Sequence, residues 1–280
     1  MNPTFIIARL TFREAVRRRI VLTALILGAS FLIIFSIGIH LVAGQISQVS
    51  PRGYASIAQS EGINFLLLAG LYTITFLSVA MGALISADTL AGEINSGTIQ
   101  SVVTKPVRRA DVVLGKWLGF AGLLAIYILL MAGGVVISVK LQANYMAPNL
   151  IRGFGLIYLE SLTMMTVALM LSSRFSALAT GGAVFGLYGL AFIGGWVEQF
   201  GSFIQSQTTV YIGIISSLIF PCEAIWRRAA YEMQSPLSGV LGMSPFSAIS
   251  VPSALMIVYA IIYALVALAL TFSIFSHRDL

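Results

Sequence analysis

The sequence predicts an all-α protein that crosses a membrane six times, and two observations lead to this fold class. Hydrophobic residues make up 58% of the 280 residues and charged residues only 9%, whereas soluble domains carry ~25% charged residues. The chain also contains six apolar segments, each close to the ~20 residues that a helix needs to cross a bilayer core of ~30 Å. With 16 basic and 10 acidic residues, the chain has too few charges to cover a soluble domain of this size.

The N-terminal segment 3–19 predicts an amphipathic helix that lies on the membrane surface. At 100° per residue, the arginines Arg9, Arg13 and Arg17 form a stripe along one face. The apolar side chains form a separate arc: Phe5, Ala8, Phe12, Ala15 and Val16. A helix of this kind lies in the headgroup layer, so we interpret it as an elbow before the first span. Contact with a partner protein is compatible with this role.

The six apolar segments define the predicted spans, and they form one transmembrane domain covering residues 1–280. Their predicted bounds are 20–43, 63–87, 114–139, 153–172, 177–197 and 253–275. Two glycine pairs in them, Gly115/Gly119 and Gly182/Gly186, have the four-residue spacing that lets two helices approach closely. We expect this packing within one subunit, although a contact across a dimer is an alternative.

Glu160 is the acidic residue deep within a predicted span. A central charge costs ~2.5–3.5 kcal/mol on insertion, but many leucine-like residues in the same helix offset this cost. Three interpretations therefore stay open: an ion pair with Lys140 or Arg152, a position on a transport path, or a proton relay.

The basic residues predict the orientation of the spans. If the N-terminus is cytoplasmic, eleven Lys and Arg residues lie inside and five lie outside, so the positive-inside rule places both termini in the cytoplasm. The inside set is Arg9, Arg13, Arg17, Arg18, Arg19, Lys105, Arg108, Arg109, Lys116, Arg174 and Arg278. The outside set is Arg52, Lys140, Arg152, Arg227 and Arg228.

The outer region 198–252 does not fit a simple span. Its apolar run 210–220 reaches only ~16 Å as a helix, and Pro221 and Glu223 then interrupt it. A re-entrant or interfacial helix pair is the preferred interpretation, with a seventh span over 208–226 as the alternative. Trp226 and Tyr231 suggest that the second helix lies at headgroup level.

The loop 88–113 between the second and third spans is predicted to contain a short helix. Ser96-Gly97 breaks the preceding helix, residues 98–103 can form a new one, and Pro106 ends it because proline disfavours helix at the residue before it. A rigid helix under two spans could transmit a push from a soluble partner. From the residues alone, an ordinary solvated loop is the alternative.

The order of residues in this loop resembles the signature of a known family. E-I-N-S-G-T-I-Q followed by K-P-V-R-R-A-D-V-V-L-G-K-W is similar to the cytoplasmic loop of ABC-2 type transporter permeases, the membrane subunits of ATP-binding cassette exporters. The matching positions are Glu93, Ser96, Gly97, Thr98, Pro106, Arg109 and Gly115-Lys116. The pattern is closest to the branch that includes the permease of the nitrous-oxide reductase maturation system.

The resemblance implies a function, a membrane and partners. It implies an exporter permease in a bacterial or archaeal cytoplasmic membrane, working by alternating access with separate ATPase subunits and a second permease subunit. The loop helix would dock on the ATPase as a coupling helix. The residues expected to couple to the ATPase are Glu93, Ser96, Gly97, Thr98, Ile99, Pro106, Arg108 and Arg109.

The sequence predicts no cofactor or metal in this chain. A phosphate-binding loop needs G-x-x-x-x-G-K-[ST], and the nearest segment, 110–117, has alanine for the first glycine and tryptophan for the hydroxyl residue. ATP and Mg²⁺ are therefore expected on the partner ATPase. His40 and His277 are predicted on opposite sides of the membrane and Cys222 is the single cysteine, which leaves no recognisable metal-ligand set.

Two other functions stay open at this point. One is a proton-coupled secondary transporter that uses Glu160, although such folds usually show internal repeats and several buried ionisable groups. The other is a non-transporting scaffold or mechanotransmitter that passes ATP energy to an outer partner. The sequence does not indicate the cargo, nor whether the permease pairs with itself or with an unlike subunit.

Overall fold

A computed structural model describes residues 3–49, 54–95, 108–235, 246, 248 and 250–277. Side chains are described in the same ranges, except at residues 45–49, 54–59, 90–91 and 93–95. Within these ranges the chain is all-helical. The helices are α1 Pro3–Val16, α2 Arg19–Val49, α3 Tyr54–Asn95, α4 Arg109–Ala143, α5 Leu150–Ser172, α6 Ala177–Phe203, α7 Gln207–Ile219, α8 Cys222–Met233 and α9 Leu255–Ser276.

Six of these helices, α2 to α6 and α9, are long and apolar enough to cross a membrane. The predicted all-α fold with six candidate spans is confirmed. Helix α3 has 42 residues and α4 has 35, so at 1.5 Å per residue they measure ~63 and ~52 Å. Both helices therefore extend beyond a ~30 Å hydrocarbon core.

Helices α3, α4 and α5 form the centre of the bundle. In the most hydrophobic stretch of each of these helices, between 56 and 61% of the residues are buried. The corresponding share is 17% in α2, 28% in α6 and 22% in α9. The three outer helices therefore present most of their apolar side chains to lipid or to another subunit, because a soluble surface would not be this apolar.

Helix α1 packs on α4 at two glycines. A Cβ atom on Gly115 would lie 2.7 Å from Ile7 Cβ, and one on Gly119 would lie 2.8 Å from the backbone oxygen of Ala8. These distances are shorter than van der Waals contact, so the close approach of the two helices requires glycine at both positions. The expected packing within the subunit is found for this glycine pair.

The bundle has two ends, which we name by the chain segments found there. The terminal end carries the start of α4 and the end of α9, where Arg109 Nη1 donates to the Ser276 carbonyl over 3.0 Å. The distal end carries the α4–α5 and α6–α7 connections. Where they are described, the basic residues of the predicted inside set lie toward the terminal end and those of the outside set toward the distal end.

Helices α7 and α8 form a hairpin inserted from the distal end, and they are bent by 108° relative to each other. Helix α7 runs antiparallel to α6, since Thr209 packs on Gly201 and Ser216 on Gly194. Helix α8 then returns along α5. At its start, the Cys222 thiol lies 3.9 Å from the Glu160 carbonyl oxygen, and at its end Met233 packs against Gly153. This course is that of a re-entrant pair, because both outer ends of the hairpin lie at the distal end.

Two tyrosines donate hydrogen bonds to the last carbonyl groups of α7, at the end that lies inside the bundle. The hydroxyls of Tyr259 and Tyr263 on α9 donate to the carbonyl oxygens of Leu218 and Ile219. The last carbonyls of a helix have no partner within it, and inside a bilayer they cannot bond to water. The tyrosines therefore allow α7 to end within the apolar bundle.

Helix α8 packs into the bundle and does not lie on its outside, and its predicted position at headgroup level stays a prediction. Nine of its twelve residues are buried, and Trp226, 3% exposed, packs its ring 4.9 Å from that of Tyr72 on α3. Arg227 on the polar face of α8 contacts the buried Glu198 of α6 rather than water.

Candidate functional site

Polar contacts tie four helices together at the terminal end. Arg18, which follows α1, lies 2.7 Å from Glu14 on α1 and 3.4 Å from Asp88 on α3. The Thr4 hydroxyl on α1 donates to Asp111 on α4 over 2.8 Å. Arg109 on α4 donates to the Phe275 and Ser276 carbonyls of α9. We call these contacts the terminal clamp.

Most of the predicted ATPase-coupling residues fall outside the part of the chain that the structure describes. Glu93 lies in the last turn of α3, where only its backbone is described. The other residues outside the described part are Ser96, Gly97, Thr98, Ile99 and Pro106, together with the predicted short helix over 98–103. The segment 96–107 joins the end of α3 to the start of α4 in the sequence, and its docking role stays a prediction.

The two arginines of the signature loop differ in their surroundings. Arg108 is exposed and has an extended backbone, with φ −66° and ψ 138°, immediately before α4. Arg109 instead bonds to the last carbonyls of α9, where a cation is favourable because the C-terminal end of a helix carries partial negative charge. Sequence reasoning missed this internal role, since the contact joins residues 166 and 167 positions apart.

The elbow arginines Arg9, Arg13 and Arg17 are all exposed, whereas Thr11 and Ala15 on the opposite side of α1 are buried. The apolar residues Phe5 and Leu10 remain 62% and 60% exposed. Helix α1 thus offers both apolar and cationic side chains outside the bundle, the combination that a membrane surface attracts.

A buried ion pair joins α6 and α8 near the distal end. Arg227 Nη1 lies 2.6 Å from Glu198 Oε1, and Arg227 Nη2 donates to Glu198 Oε2 over 2.8 Å. Ser217 accepts a further bond from Arg227, and Ser250 donates to Glu198. Both charged side chains are at most 5% exposed. Sequence analysis missed this pair because both residues were assigned to the outer region as separate charges.

Glu160 is fully buried on α5, and within the described part of the chain its carboxylate oxygens accept no hydrogen bond. The interpretation that pairs it with Lys140 or Arg152 is wrong: Arg152 instead lies 3.6 Å from Glu232 with its side chain 73% exposed. The roles of Glu160 in a transport path or a proton relay stay predictions.

A small cavity lies beside Glu223, the acid in the first turn of α8. Tyr72 Oη donates to Glu223 Oε2 over 3.5 Å, and Trp196, Trp226 and Phe246 complete the aromatic walls. The cavity measures about 10 Å³, which is close to the volume that one water molecule requires. The cavity therefore has room for one water molecule and for nothing larger. Among the described residues, no cluster of His, Cys, Asp and Glu side chains could hold a metal ion.

The architecture of six candidate spans, a distal hairpin and a terminal clamp is accompanied by a family match over almost the whole chain. Residues 5–280 match the model of the ABC-2 family transporter proteins, and the chain belongs to this family. It is therefore a multi-pass membrane protein of the kind that forms the membrane subunit of ABC transporters.

Two curated relatives share part of the sequence. The chain is 28% identical over 142 residues to the probable ABC transporter permease protein NosY of Stutzerimonas stutzeri, which covers 50% of this chain and 47% of the relative. It is also 28% identical over 186 residues to the probable ABC transporter permease protein NosY of Pseudomonas aeruginosa. This match covers 64% of this chain and 62% of the relative. The chain thus spans between about half and three fifths of the length of these relatives.

Proposed function

We propose that this chain is the permease of an ABC exporter and that partner ATPase subunits drive it through the segment 96–107. The terminal clamp is the observation that carries this proposal. Segment 96–107 connects α3 directly to α4, and these two long helices lie at the centre of the bundle. A force applied to the two ends of this segment would therefore act on the central helices of the permease.

The clamp extends the effect of such a force to neighbouring helices. Arg18 connects α3 to α1, and Arg109 connects α4 to α9. Tilting α3 and α4 at the terminal end would consequently carry α1 and α9 with them. We propose that ATP binding and hydrolysis switch these helices between two arrangements, which is the physical requirement for alternating access.

The distal hairpin is the proposed barrier on the opposite side. Helices α7 and α8 fill the distal half of the bundle, and the cavity at Glu223 admits no cargo larger than water. Export would require a path beside this hairpin, at the boundary with a second permease subunit. The exposed faces of α2, α6 and α9 support the presence of such a subunit.

The family match favours ATP-driven transport over proton-coupled transport that uses Glu160. A mechanotransmitter would be driven by the ATPase through the same segment 96–107 and would differ from an exporter only in moving no cargo. For an exporter and for a mechanotransmitter alike, we propose a bacterial or archaeal cytoplasmic membrane with both termini inside.

Site-directed photo-crosslinking in the native host tests the coupling assignment. A crosslinking residue at Thr98 or Arg108 should capture a protein with a phosphate-binding loop, identified by mass spectrometry. The same residue at Leu141, which is exposed at the distal end of α4, should not capture it and is the matched control. Capture of lipid alone from positions 98 and 108, or equal ATPase capture from position 141, would contradict the proposal.

A further inference from the structure

A groove between α5 and α9 opens on the outside of the bundle near the distal end. It has a volume of about 460 Å³, which lies within the range of ~300–1,000 Å³ that is typical of small-molecule sites. Its inner wall contains Leu156, Leu159 and Leu162 of α5 and Ile257 and Ile261 of α9. The groove is therefore an apolar slot, separate from the terminal clamp and from the distal ion pair.

The depth of the groove matches one leaflet of a bilayer. Arg152, Gly155, Leu159 and Leu162 follow one face of α5, because residues spaced by three or four positions lie above one another on a helix. From Arg152 to Leu162 the helix rises ~15 Å at 1.5 Å per residue. This is half of a ~30 Å hydrocarbon core, and hence the reach of one acyl chain.

The mouth of the groove carries excess positive charge. Arg152 and Glu232 line it, and Arg228 bonds to the same Glu232 carboxylate over 2.9 Å. Two guanidinium groups thus share one carboxylate. The contact between Arg152 and Glu232 is 3.6 Å long, beyond normal hydrogen-bond length, and the Arg152 side chain is 73% exposed. Arg152 can therefore engage a further anion without losing a strong bond.

We propose that this groove binds one anionic glycerophospholipid. One acyl chain lies along the leucines and isoleucines, and the phosphate group bonds to the Arg152 guanidinium. An arginine favours phosphate because its planar N–H groups match two phosphate oxygens. A lipid with net negative charge is preferred over a zwitterionic lipid, since the ammonium group of the latter would lie near Arg152 and Arg228.

Native mass spectrometry of the full-length chain in mild detergent tests the site, with phosphatidylglycerol and phosphatidylcholine of identical acyl chains as probes. We expect the wild type to retain one phosphatidylglycerol. Arg152→Gln should weaken that binding about tenfold through loss of a charge-assisted bond. Gly155→Leu should abolish it, because a Cβ at Gly155 meets no atom within 4 Å and the new side chain would enter the groove.

Two variants outside the groove are matched controls. Lys140→Gln removes an exposed positive charge near the end of α4, and Gly133→Leu adds the same side chain at another glycine with open space around it. Neither should change lipid retention. Equal binding of the two lipids by the wild type, or unchanged retention in both groove variants, would overturn the proposal.

A second copy of the chain is the competing occupant of the groove. In that case Ile261→Cys, in a chain with Cys222→Ala, would crosslink two copies and the purified dimer would retain no lipid, which would also overturn the proposal. None of these measurements requires the ATPase partner, so their outcome is independent of the proposed export function.

Discussion

Individual charged residues have well-separated roles in this permease. Glu198 and Arg227 form a buried bidentate pair at the distal end, whereas Arg109 stabilises the end of α9 at the terminal end. In an apolar bundle, removing one member of a buried ion pair leaves the other charge uncompensated. The effect of each substitution should therefore depend on whether it leaves another charge without its partner.

Glu198→Ala should strongly destabilise the protein, because Arg227 would remain buried without its carboxylate partner. Removing one member of a buried pair costs about 3–5 kcal/mol, which corresponds to a fall in melting temperature on the order of 10 °C for a chain of this size. Thermal melting in detergent measures this change. Glu14→Gln breaks an exposed pair with Arg18 and should cost less than about 1 kcal/mol. Equal melting temperatures for the two variants would contradict a structural role for the buried pair.

Glu93→Ala tests coupling better than Arg109→Glu. Arg109→Glu would place a negative charge beside the α9 carbonyls and cost about 1 kcal/mol of stability, so it mixes a folding effect with a coupling effect. We expect Glu93→Ala to melt like the wild type but to lose the stimulation of the partner ATPase by the permease. ATPase assays of the reconstituted complex, with Lys140→Gln at the exposed distal end of α4 as control, measure this. Wild-type stimulation in Glu93→Ala would remove this residue from the coupling set.

At the scale of helices, glycine positions decide which elements can pack closely. Gly115 and Gly119 bring α1 against α4, while Gly182 and Gly186 have the same sequence spacing but meet no atom within 4 Å. The motif is identical in the sequence, and only the surrounding helices distinguish its two uses. The first pair allows α1 to pack on α4, and the second leaves a flat strip on α6.

Gly119→Leu should separate α1 from α4, because even its Cβ would lie 2.8 Å from the Ala8 backbone oxygen. A cysteine at Thr11, which is 8% exposed, reports the separation in a chain with Cys222→Ala. We expect maleimide to label Thr11→Cys at least several-fold faster when Gly119→Leu is present. Gly133→Leu is the control and should leave labelling slow. Slow labelling in both would mean that the helix contact tolerates the larger side chain.

At the scale of the whole molecule, three candidate spans have faces that are available to lipid or to a second subunit. Helices α2, α6 and α9 are mostly unburied, and α6 presents its strip of small residues on the outside. Close packing of small residues is a common basis for helix association in membranes. We therefore expect a second permease subunit against α6.

Gly182→Cys and Gly186→Cys should form disulfide-linked dimers in native membranes if the second subunit is a copy of this chain. The cysteine-free background is Cys222→Ala, and Gly133→Cys on α4 is the matched control that should stay monomeric. Non-reducing gel electrophoresis measures the product. Crosslinking at Gly133 but not at Gly182 or Gly186 would place the dimer contact on another face.

Much of the architecture followed from local sequence properties. The length and hydropathy of six segments are sufficient to predict six spans, since insertion depends on each segment separately. The short run 210–220 likewise predicts a helix of only ~16 Å, and the observed α7, with 13 residues, measures only ~20 Å, less than the ~30 Å core of a bilayer. These features depend on the composition of single segments and not on which helices meet.

Long-range contacts were decided by the tertiary structure alone. The burial of Trp226, the pairing of Arg227 with Glu198 and the bond from Arg109 to α9 all depend on how the distal hairpin and the terminal end fold against distant helices. The physical reason is that a charge or an aromatic ring in the sequence has many chemically suitable partners. Only the packing of the helices selects the partner that lies within a few ångströms.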